Sequence, residues 1–171
     1  MPDFQHLVEQ HQQRIFVFAF YFLGSCEDAE EITQDTPLTL WRQGHTINPA
    51  SLAAWIMRVA RNACIDALRK RRSYQERVIP EREDWQLAET VANEDNPERE
   101  LEANEFQRHV EQALHRLPEP CRTVVILREI QDLTYEEIQE TTELPMNSVK
   151  SYLHRGRSLL RTYLRERSDD E

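Results

Sequence analysis

The apolar residues at the start of the chain repeat with the period of an α-helix, and this repeat restricts the fold more than any other feature. They recur at spacings of three and four residues, at Phe4, Leu7, Val8, His11, Ile15, Phe18, Ala19 and Phe22. Such spacing places them on one face of a helix of about five turns. Strand-like alternation is absent from the sequence, and Gly occurs only three times. The sequence therefore predicts an all-α fold.

Turn and capping residues divide the N-terminal part into three helices. Gly24 can end the first helix, and Ser25 with Asp28 three residues later has the capping-box spacing that begins a second. The second helix is predicted to run toward Trp41, and a third to start near Ser51. Farther along, helical periodicity returns at about residues 101–116, is broken by the segment LPEP, and resumes from Cys121 to the C-terminus.

The charge of the chain is distributed unevenly. The formal net charge is −10, yet residues 58–72 carry six Lys/Arg against one Asp, and residues 150–167 carry six against one Glu. Between these two basic segments, residues 77–105 hold three Arg against ten Asp/Glu. Two basic segments separated by an acidic stretch indicate two contact sites for a polyanion with a tether between them.

The C-terminal segment has the pattern of a helix-turn-helix. Thr134 and Glu137 form a T-x-x-E capping box, and the sequence ELPMN is predicted to be a tight turn before the last helix. That helix has an apolar face, made by Val149, Leu153, Gly156, Leu160 and Tyr163. Its other face is polar and basic, made by Asn147, Ser148, Lys150, Ser151, His154, Arg155, Arg157 and Arg161.

A polar second helix in such a motif is suited to the major groove of DNA. Side chains at its N-terminal end, from Asn147 to Ser151, are expected at base edges, and the Arg residues farther along at phosphates. An ordinary amphipathic helix with a solvated basic face is the alternative. The capping box, the turn and the divided faces together favour DNA.

The third helix carries a second candidate stripe for nucleic acid. Trp55, Arg58, Asn62, Asp66 and Arg69 recur on one face, opposite the apolar residues Leu52, Ile56, Val59 and Ala63. An exposed Trp beside Arg and Asn is suited to stacking on unpaired bases. Alternatively, Trp55 packs into the core and the Arg residues only keep the helix solvated.

Several other classes of protein lack support in the sequence. The three Cys are far apart, and the six His form no group with metal-ligand spacing, so no metal, cofactor or catalytic site is predicted. The N-terminus lacks the pattern of a signal peptide, and the longest apolar run is too short to cross a membrane. We therefore expect a cytoplasmic protein that does not insert into membranes and is not an enzyme.

Three ordered motifs carry a family resemblance. The segments DAEEITQDTPLTLW, AAWIMRVARNACIDALRKRR and LTYEEIQETTELPMNSVKSYLHRGRSLLR together resemble the bacterial sigma-70 family, specifically its extracytoplasmic-function (ECF) group. The resemblance implies a sigma factor that directs core RNA polymerase to promoter DNA and assists promoter opening. It implies three regions: residues 1–76 for polymerase binding and the minus-ten element, an acidic flexible linker at 77–104, and a helix-turn-helix domain at 105–171 for the minus-thirty-five element.

The resemblance also implies roles for individual residues. The polymerase would be met by Asp28, Glu31, Gln34, Asp35 and Trp41 of the second helix. The melting minus-ten element would be met by Arg58, Arg61 and Asn62, with Trp55 and Arg69 on the same stripe, and a flipped base by His45 and Asn48. Members of the family commonly have an anti-sigma partner, which is therefore expected here. The acidic linker is either a nucleic-acid mimic in the RNA path of the polymerase or simply solvated.

Three residues depart from the family pattern. Pro37 stands where an aromatic residue is usual and is expected to kink the second helix. Glu143 stands where Gly is usual, so the turn is expected to be looser or differently built. Tyr152 replaces a frequent Arg, which would change the minus-thirty-five preference. The remaining alternative function is a stand-alone helix-turn-helix regulator that binds DNA without polymerase.

Overall fold

The computed structural model describes residues 4–43, 47–78 and 97–168. Within these residues the regular structure is helical and no strand is present, so the all-α prediction is confirmed. The helices are α1 (Phe4–Leu23), α2 (Cys26–Gln43), α3 (Leu52–Val78), α4 (Pro97–Arg116), α5 (Cys121–Val125), α6 (Tyr135–Thr142) and α7 (Met146–Ser168). A short 3₁₀ turn (Pro49–Ser51) precedes α3, and α5 continues as a π-helical turn (Ile126–Ile130).

The boundary between α1 and α2 is built by the residues that the sequence indicates. Gly24 has a φ of +68°, and its N–H donates to the carbonyl of Phe20 at 2.8 Å. This left-handed conformation ends a helix and favours Gly. The Ser25 hydroxyl then accepts a hydrogen bond from the N–H of Asp28 at 3.3 Å, which caps α2.

The helix α2 continues through Pro37 to Gln43. Pro37 cannot donate to the carbonyl one turn earlier, so a helix interior at this point loses one backbone hydrogen bond. Two threonine hydroxyls just before it donate to carbonyls one turn back, Thr33 to Ala29 at 2.6 Å and Thr36 to Ile32 at 2.7 Å. Pro37 therefore does not end the helix.

The predicted linker is helical at both of its ends. α3 continues to Val78, and α4 begins at Pro97, several residues before the predicted start of the C-terminal region. The predicted linker limits of 77 and 104 fall within these helices, and the division into domains stays a prediction. Residues 79–96, which hold most of the acidic stretch, lie outside the described part of the chain.

The chain forms two helical halves, each with buried apolar residues. In the N-terminal half, α1 packs against α2 and α3, and Ile15, Phe18 and Phe22 are fully buried. In the C-terminal half, α5 packs against α7, and Val124 and Leu153 are among the buried residues. The predicted apolar face of α1, from Val8 onward, and that of α7 therefore face the interior.

The two halves pack directly against each other, which the sequence does not predict. Their buried apolar residues form one continuous cluster, and α3 meets α6 while α1 meets α4. Arg122, only 7% exposed, joins the halves. Its guanidinium donates to the carbonyls of Leu114 at 3.0 Å and Phe22 at 3.2 Å, and also to the carbonyl of His115. A cation there is favourable because the C-terminal carbonyls of α1 and α4 lack helical partners.

Candidate nucleic-acid interface

The first helix of the helix-turn-helix begins with the predicted capping box. The Thr134 hydroxyl accepts a hydrogen bond from the N–H of Glu137 at 3.2 Å, and the Glu137 carboxylate accepts one from the N–H of Thr134 at 2.7 Å. Two backbone donors at the start of α6, the N–H groups of Thr134 and Glu137, are satisfied in this way. The capping-box prediction is confirmed.

The turn between α6 and α7 is built around Glu143. This residue has a φ of 59° and a ψ of 18°, and its N–H donates to the carbonyl of Gln139 at 2.8 Å. Glu143 therefore adopts the left-handed cap conformation that Gly adopts easily, at a cost of roughly 1–2 kcal/mol for a residue with a side chain. The expected looser turn is wrong, because the backbone follows the usual cap despite the substitution.

The helix α7 lies unusually close to α5 at Gly156. A Cβ atom added to Gly156 would lie 2.5 Å from Val125 Cγ2 and 3.4 Å from the carbonyl oxygen of Cys121. Val149 and Leu153 are buried on the same face. Tyr152 is half-buried and packs against the core, so its side chain is only partly available to a ligand. These contacts fix the rotation of α7 about its own axis.

The opposite face of α7 is presented to solvent. Exposed side chains there are Asn147, Lys150, Ser151, His154, Arg155 and Arg161, while Ser148 and Arg157 are half-buried. Arg157 Nε lies 2.5 Å from Glu129 Oε1, so its guanidinium already has a carboxylate partner. The structure thus brings the predicted minus-thirty-five residues together on one accessible face.

Two of the predicted minus-ten residues on α3 contact the C-terminal half. Arg58 donates to the carbonyl of Thr141 at 3.2 Å and to that of Glu140 at 2.5 Å, and its Nη1 lies 3.0 Å from Glu143 Oε1. Arg61 Nη2 lies 3.1 Å from Glu119 Oε1. Both guanidinium groups therefore contact the other half in this conformation.

The remaining predicted minus-ten residues differ in exposure. Asn62 is exposed, and Arg69 is exposed beside Asp66, with 3.9 Å between its Nη1 and Asp66 Oδ1. Trp55 is half-buried and packs against the core, which agrees with the second of the two alternatives for this residue. The contact of Trp55 with bases stays a prediction.

The loop before α3 is only partly described. Asn48 is exposed, and its side-chain oxygen accepts a hydrogen bond from the N–H of Ala50 at 3.1 Å. His45, the other residue predicted to meet a flipped base, lies outside the described residues. The pairing of His45 and Asn48 at one site therefore stays a prediction.

The predicted polymerase-binding helix presents an exposed stripe. Glu31 and Gln34 are exposed, and Trp41 is 65% exposed on the same side. Leu38 is 61% exposed between them, a residue that the sequence analysis missed although its spacing of i+4 and i−3 places it on the stripe. Exposed large apolar side chains beside carboxylates are typical of a surface that binds another protein.

The other two predicted polymerase contacts on α2 differ from each other. Asp35 is exposed, as expected. Asp28 is half-buried and forms an ion pair with Arg71 near the end of the basic segment of α3. Asp28 is therefore part of the packing between α2 and α3, which its expected surface position did not include.

A neutral histidine lies where the two halves meet. Burial, together with the positive charges of Arg122 and Arg71, lowers the pKa of His115 to about 4. Its imidazole lies against Gly24, where an added Cβ would be 2.0 Å from Nε2. Since Nε2 has no hydrogen-bond partner, a proton there would be buried without an acceptor.

The described residues hold no cluster of His, Cys, Asp or Glu suited to a metal ion. Cys26 is exposed, and Cys64 and Cys121 are buried free thiols. Burial raises the pKa of the Cys64 thiol. None of the described helices combines the length and apolar character needed to cross a membrane.

Two parts of the chain match known family profiles. Residues 7–74 match Sigma-70 region 2, and residues 107–160 match Sigma-70, region 4. The first match covers most of α1 to α3, and the second runs from within α4 into α7. The two matches therefore fall on the two structural halves.

Curated relatives resemble nearly the whole chain. The ECF RNA polymerase sigma factor SigE of Mycolicibacterium smegmatis is 32% identical over 170 residues, which are 99% of this chain and 65% of that protein. SigW of Bacillus subtilis, also an ECF RNA polymerase sigma factor, is 29% identical over 95% of this chain and 89% of its own length. RpoE of Cereibacter sphaeroides is 31% identical over 94% of this chain and 86% of its own.

Solved structures share the fold. RpoE from Bartonella quintana, solved in complex with the anti-sigma factor NepR, has a TM-score of 0.76 at 22% identity, over 96% of this chain and 98% of that one. CnrH, solved in complex with the cytosolic domain of CnrY, has a TM-score of 0.70 at 21% identity. The match covers 95% of this chain and 88% of CnrH. At these identities the likeness concerns the fold.

Proposed function

Because the chain belongs to the sigma-70 family, in its extracytoplasmic-function group, we propose that it directs core RNA polymerase to specific promoters and assists promoter opening. The observation that carries the proposal is the pair of family matches in their expected order, at residues 7–74 and 107–160. The protein then acts in the cytoplasm as a specificity subunit and catalyses no reaction itself.

In this proposal each half of the chain has its own binding partners. Residues 1–76 bind the polymerase and the minus-ten element, and residues 105–171 read the minus-thirty-five element. The exposed stripe of Glu31, Gln34, Leu38 and Trp41 supports α2 as the polymerase-binding surface. The Glu31 carboxylate supplies charge complementarity to a basic partner, and the two apolar side chains supply area that loses contact with water on binding.

The polymerase surface is testable by charge reversal at an exposed carboxylate. Glu31→Lys is the suitable variant, because Glu31 is exposed whereas Asp28 is tied to Arg71. A like-charge pair across an interface costs several kcal/mol, so we expect binding to core polymerase to weaken at least tenfold. Glu9→Lys, an equal charge change on the exposed side of α1, is the matched control. Equal affinity of Glu31→Lys and wild type would remove α2 from the interface.

The minus-thirty-five element is proposed to bind the exposed face of α7. Lys150 and Ser151 lie near the N-terminal end of the helix, and Arg161 lies about three turns farther along. Side chains at the N-terminal end of a recognition helix reach base edges, whereas cations farther along reach phosphates. We therefore assign sequence preference to Lys150 and general affinity to Arg161.

A promoter library separates these two roles. Loss of a base contact costs about 1–3 kcal/mol at one position, whereas loss of a phosphate contact weakens all sequences and lowers the salt slope by about one. Lys150→Ala should change which minus-thirty-five sequences are accepted, and Arg161→Ala should lower affinity without changing their ranking. The measurement is library binding by the polymerase complex at two salt concentrations. A change of ranking by Arg161→Ala alone would show that α7 is docked in the opposite direction.

The proposal includes an anti-sigma partner. Two structural neighbours with the same fold were solved in complexes, RpoE with the anti-sigma factor NepR and CnrH with the cytosolic domain of CnrY. Co-purification of the tagged chain from its own cells, followed by mass spectrometry, would identify such a partner. A chain recovered only with polymerase subunits, under inducing and non-inducing conditions alike, would argue against one.

A further inference from the structure

Two arginines of α3, Arg58 and Arg61, are held by the C-terminal half. Arg58 reaches the last turn of α6, where it donates to the carbonyls of Glu140 and Thr141 at 2.5 and 3.2 Å, and Arg61 pairs with Glu119. The last carbonyls of a helix have no helical partner and carry partial negative charge, so a guanidinium is well placed there. The docking of α3 on the C-terminal half therefore uses two of the cations proposed to meet the minus-ten element.

The contact also explains an unusual residue of the helix-turn-helix turn. Glu143 has a φ of 59°, a conformation in which Gly would be unstrained. Its carboxylate lies 3.0 Å from Arg58 Nη1, and the side chain of Arg58 is 26% exposed. A glycine at position 143 would give an easier turn and would lose this ion pair. The side chain of Glu143 thus links the turn of one half to the stripe of the other.

Contact with DNA and contact with α6 exclude each other at Arg58. Its Nε, Nη1 and Nη2 groups are all directed at Glu140, Thr141 and Glu143, so a phosphate or base would have to displace them. α6 also covers this part of α3, and the covering helix belongs to the DNA-binding motif itself. Separation of the halves is therefore required before this part of the stripe can bind a promoter.

We propose that Arg58 and Glu143 form an intramolecular latch, which holds the two halves together in the free protein and keeps Arg58 covered. Binding to core polymerase opens the latch and releases Arg58 for the promoter. The existence of the latch does not depend on the proposed function, whereas its consequence for promoter binding rests on that function. The two parts are tested by separate measurements.

A double-mutant cycle tests whether the latch forms in solution. Urea unfolding is measured for wild type, Arg58→Gln, Glu143→Gln and the double variant. A control cycle uses Glu136→Gln in place of Glu143→Gln, because Glu136 is exposed on the first turn of α6. Partly exposed ion pairs contribute modestly, so we expect a coupling of about two- to five-fold in the unfolding equilibrium constant. The coupling should diminish in 1 M salt and be absent from the control cycle. The latch would be overturned if Glu143→Gln changed the free energy of unfolding equally in the wild-type and Arg58→Gln backgrounds.

Binding to core polymerase tests the consequence. If opening must precede binding, removal of the ion pair raises the apparent affinity by the factor seen in the cycle. Glu143→Gln should therefore bind core polymerase about two- to five-fold more tightly than wild type, and Glu136→Gln should bind as wild type. Unchanged affinity of Glu143→Gln would overturn the inhibitory role even with coupling present. If the wild-type protein failed to bind core polymerase, both the proposed function and the inhibitory role of the latch would be overturned. The urea cycle would still show whether the latch forms.

Discussion

Gly156→Ala should destabilise the protein although alanine is the better helix former. Position 156 is buried at the closest approach of α7 to α5, where an added Cβ would lie 2.5 Å from Val125 Cγ2. Val125 is itself 1% exposed and therefore has little room to move. The methyl group must push α7 away from α5 or force Val125 out of its preferred rotamer.

The expected magnitude is a difference of two opposing effects. Replacing Gly by Ala within a helix contributes about 0.5–1 kcal/mol of stability through the unfolded chain. Overpacking of a filled core costs about 1–3 kcal/mol. The net expectation is a loss of roughly 0.5–2 kcal/mol in the free energy of unfolding.

A second background tests the reasoning more sharply than the single variant. Val125→Ala removes the contacted methyl group, so only the helix-propensity effect should remain at position 156. In that background Gly156→Ala should stabilise the protein by about 0.5–1 kcal/mol, which reverses the sign. Urea unfolding of the four proteins measures both differences. The close contact would be refuted if Gly156→Ala raised the free energy of unfolding in the wild-type background. It would also be refuted if the change had the same sign in the wild-type and Val125→Ala backgrounds.

Two further predictions concern stability. Thr134→Ala should lower the free energy of unfolding by about 1 kcal/mol, because it removes the hydroxyl that accepts from the Glu137 N–H. Thr134→Ser keeps a hydroxyl at this position and should retain the stability. Equal stability of the two variants in urea would contradict the capping role. His115 has a folded pKa lowered from 6.5 to about 4, so its stabilising contribution is complete above 6.5 and lost as the pH falls toward 4. That contribution should fall by about 2 kcal/mol between pH 7 and 5, because burial, and to a lesser extent the charges of Arg122 and Arg71, oppose the proton. The contribution of His115 is the difference between wild type and His115→Gln in the free energy of unfolding by urea, measured across this pH range. Identical pH profiles of the two proteins would contradict the lowered pKa of His115.

The sequence predicts those parts of the fold that depend on neighbouring residues. Gly24 and Ser25 act within one turn of the helix ends that they define, and Thr134 caps a donor three residues away. The two faces of α7 follow from helical spacing, and the face toward α5 is the buried one. These features were predictable because the partners are close in the chain.

The packing of the two halves was not predictable from these local rules. The α6 carbonyls that bind Arg58 are 82 and 83 residues from it in the chain, and Glu119 is 58 residues from Arg61. No spacing pattern links such pairs.

The roles of single residues in the candidate site remain predictions for a related reason. Exposure on α7 shows that Lys150 and Ser151 are available, yet base preference depends on how the helix lies in the groove. The exposed Leu38 was missed because an isolated apolar residue in a charged helix resembles an ordinary surface position. Its spacing to Trp41 was the available signal.

Transcription by purified core polymerase tests the central claim most directly. The measurement adds the protein to core polymerase on fragmented genomic DNA from its own bacterium and maps the 5′ ends of the transcripts. The account predicts discrete starts that appear only with the protein, each preceded by two shared sequence elements at a constant spacing. The absence of protein-dependent starts, with equal binding to DNA in the presence and absence of polymerase, would contradict it and identify a stand-alone regulator.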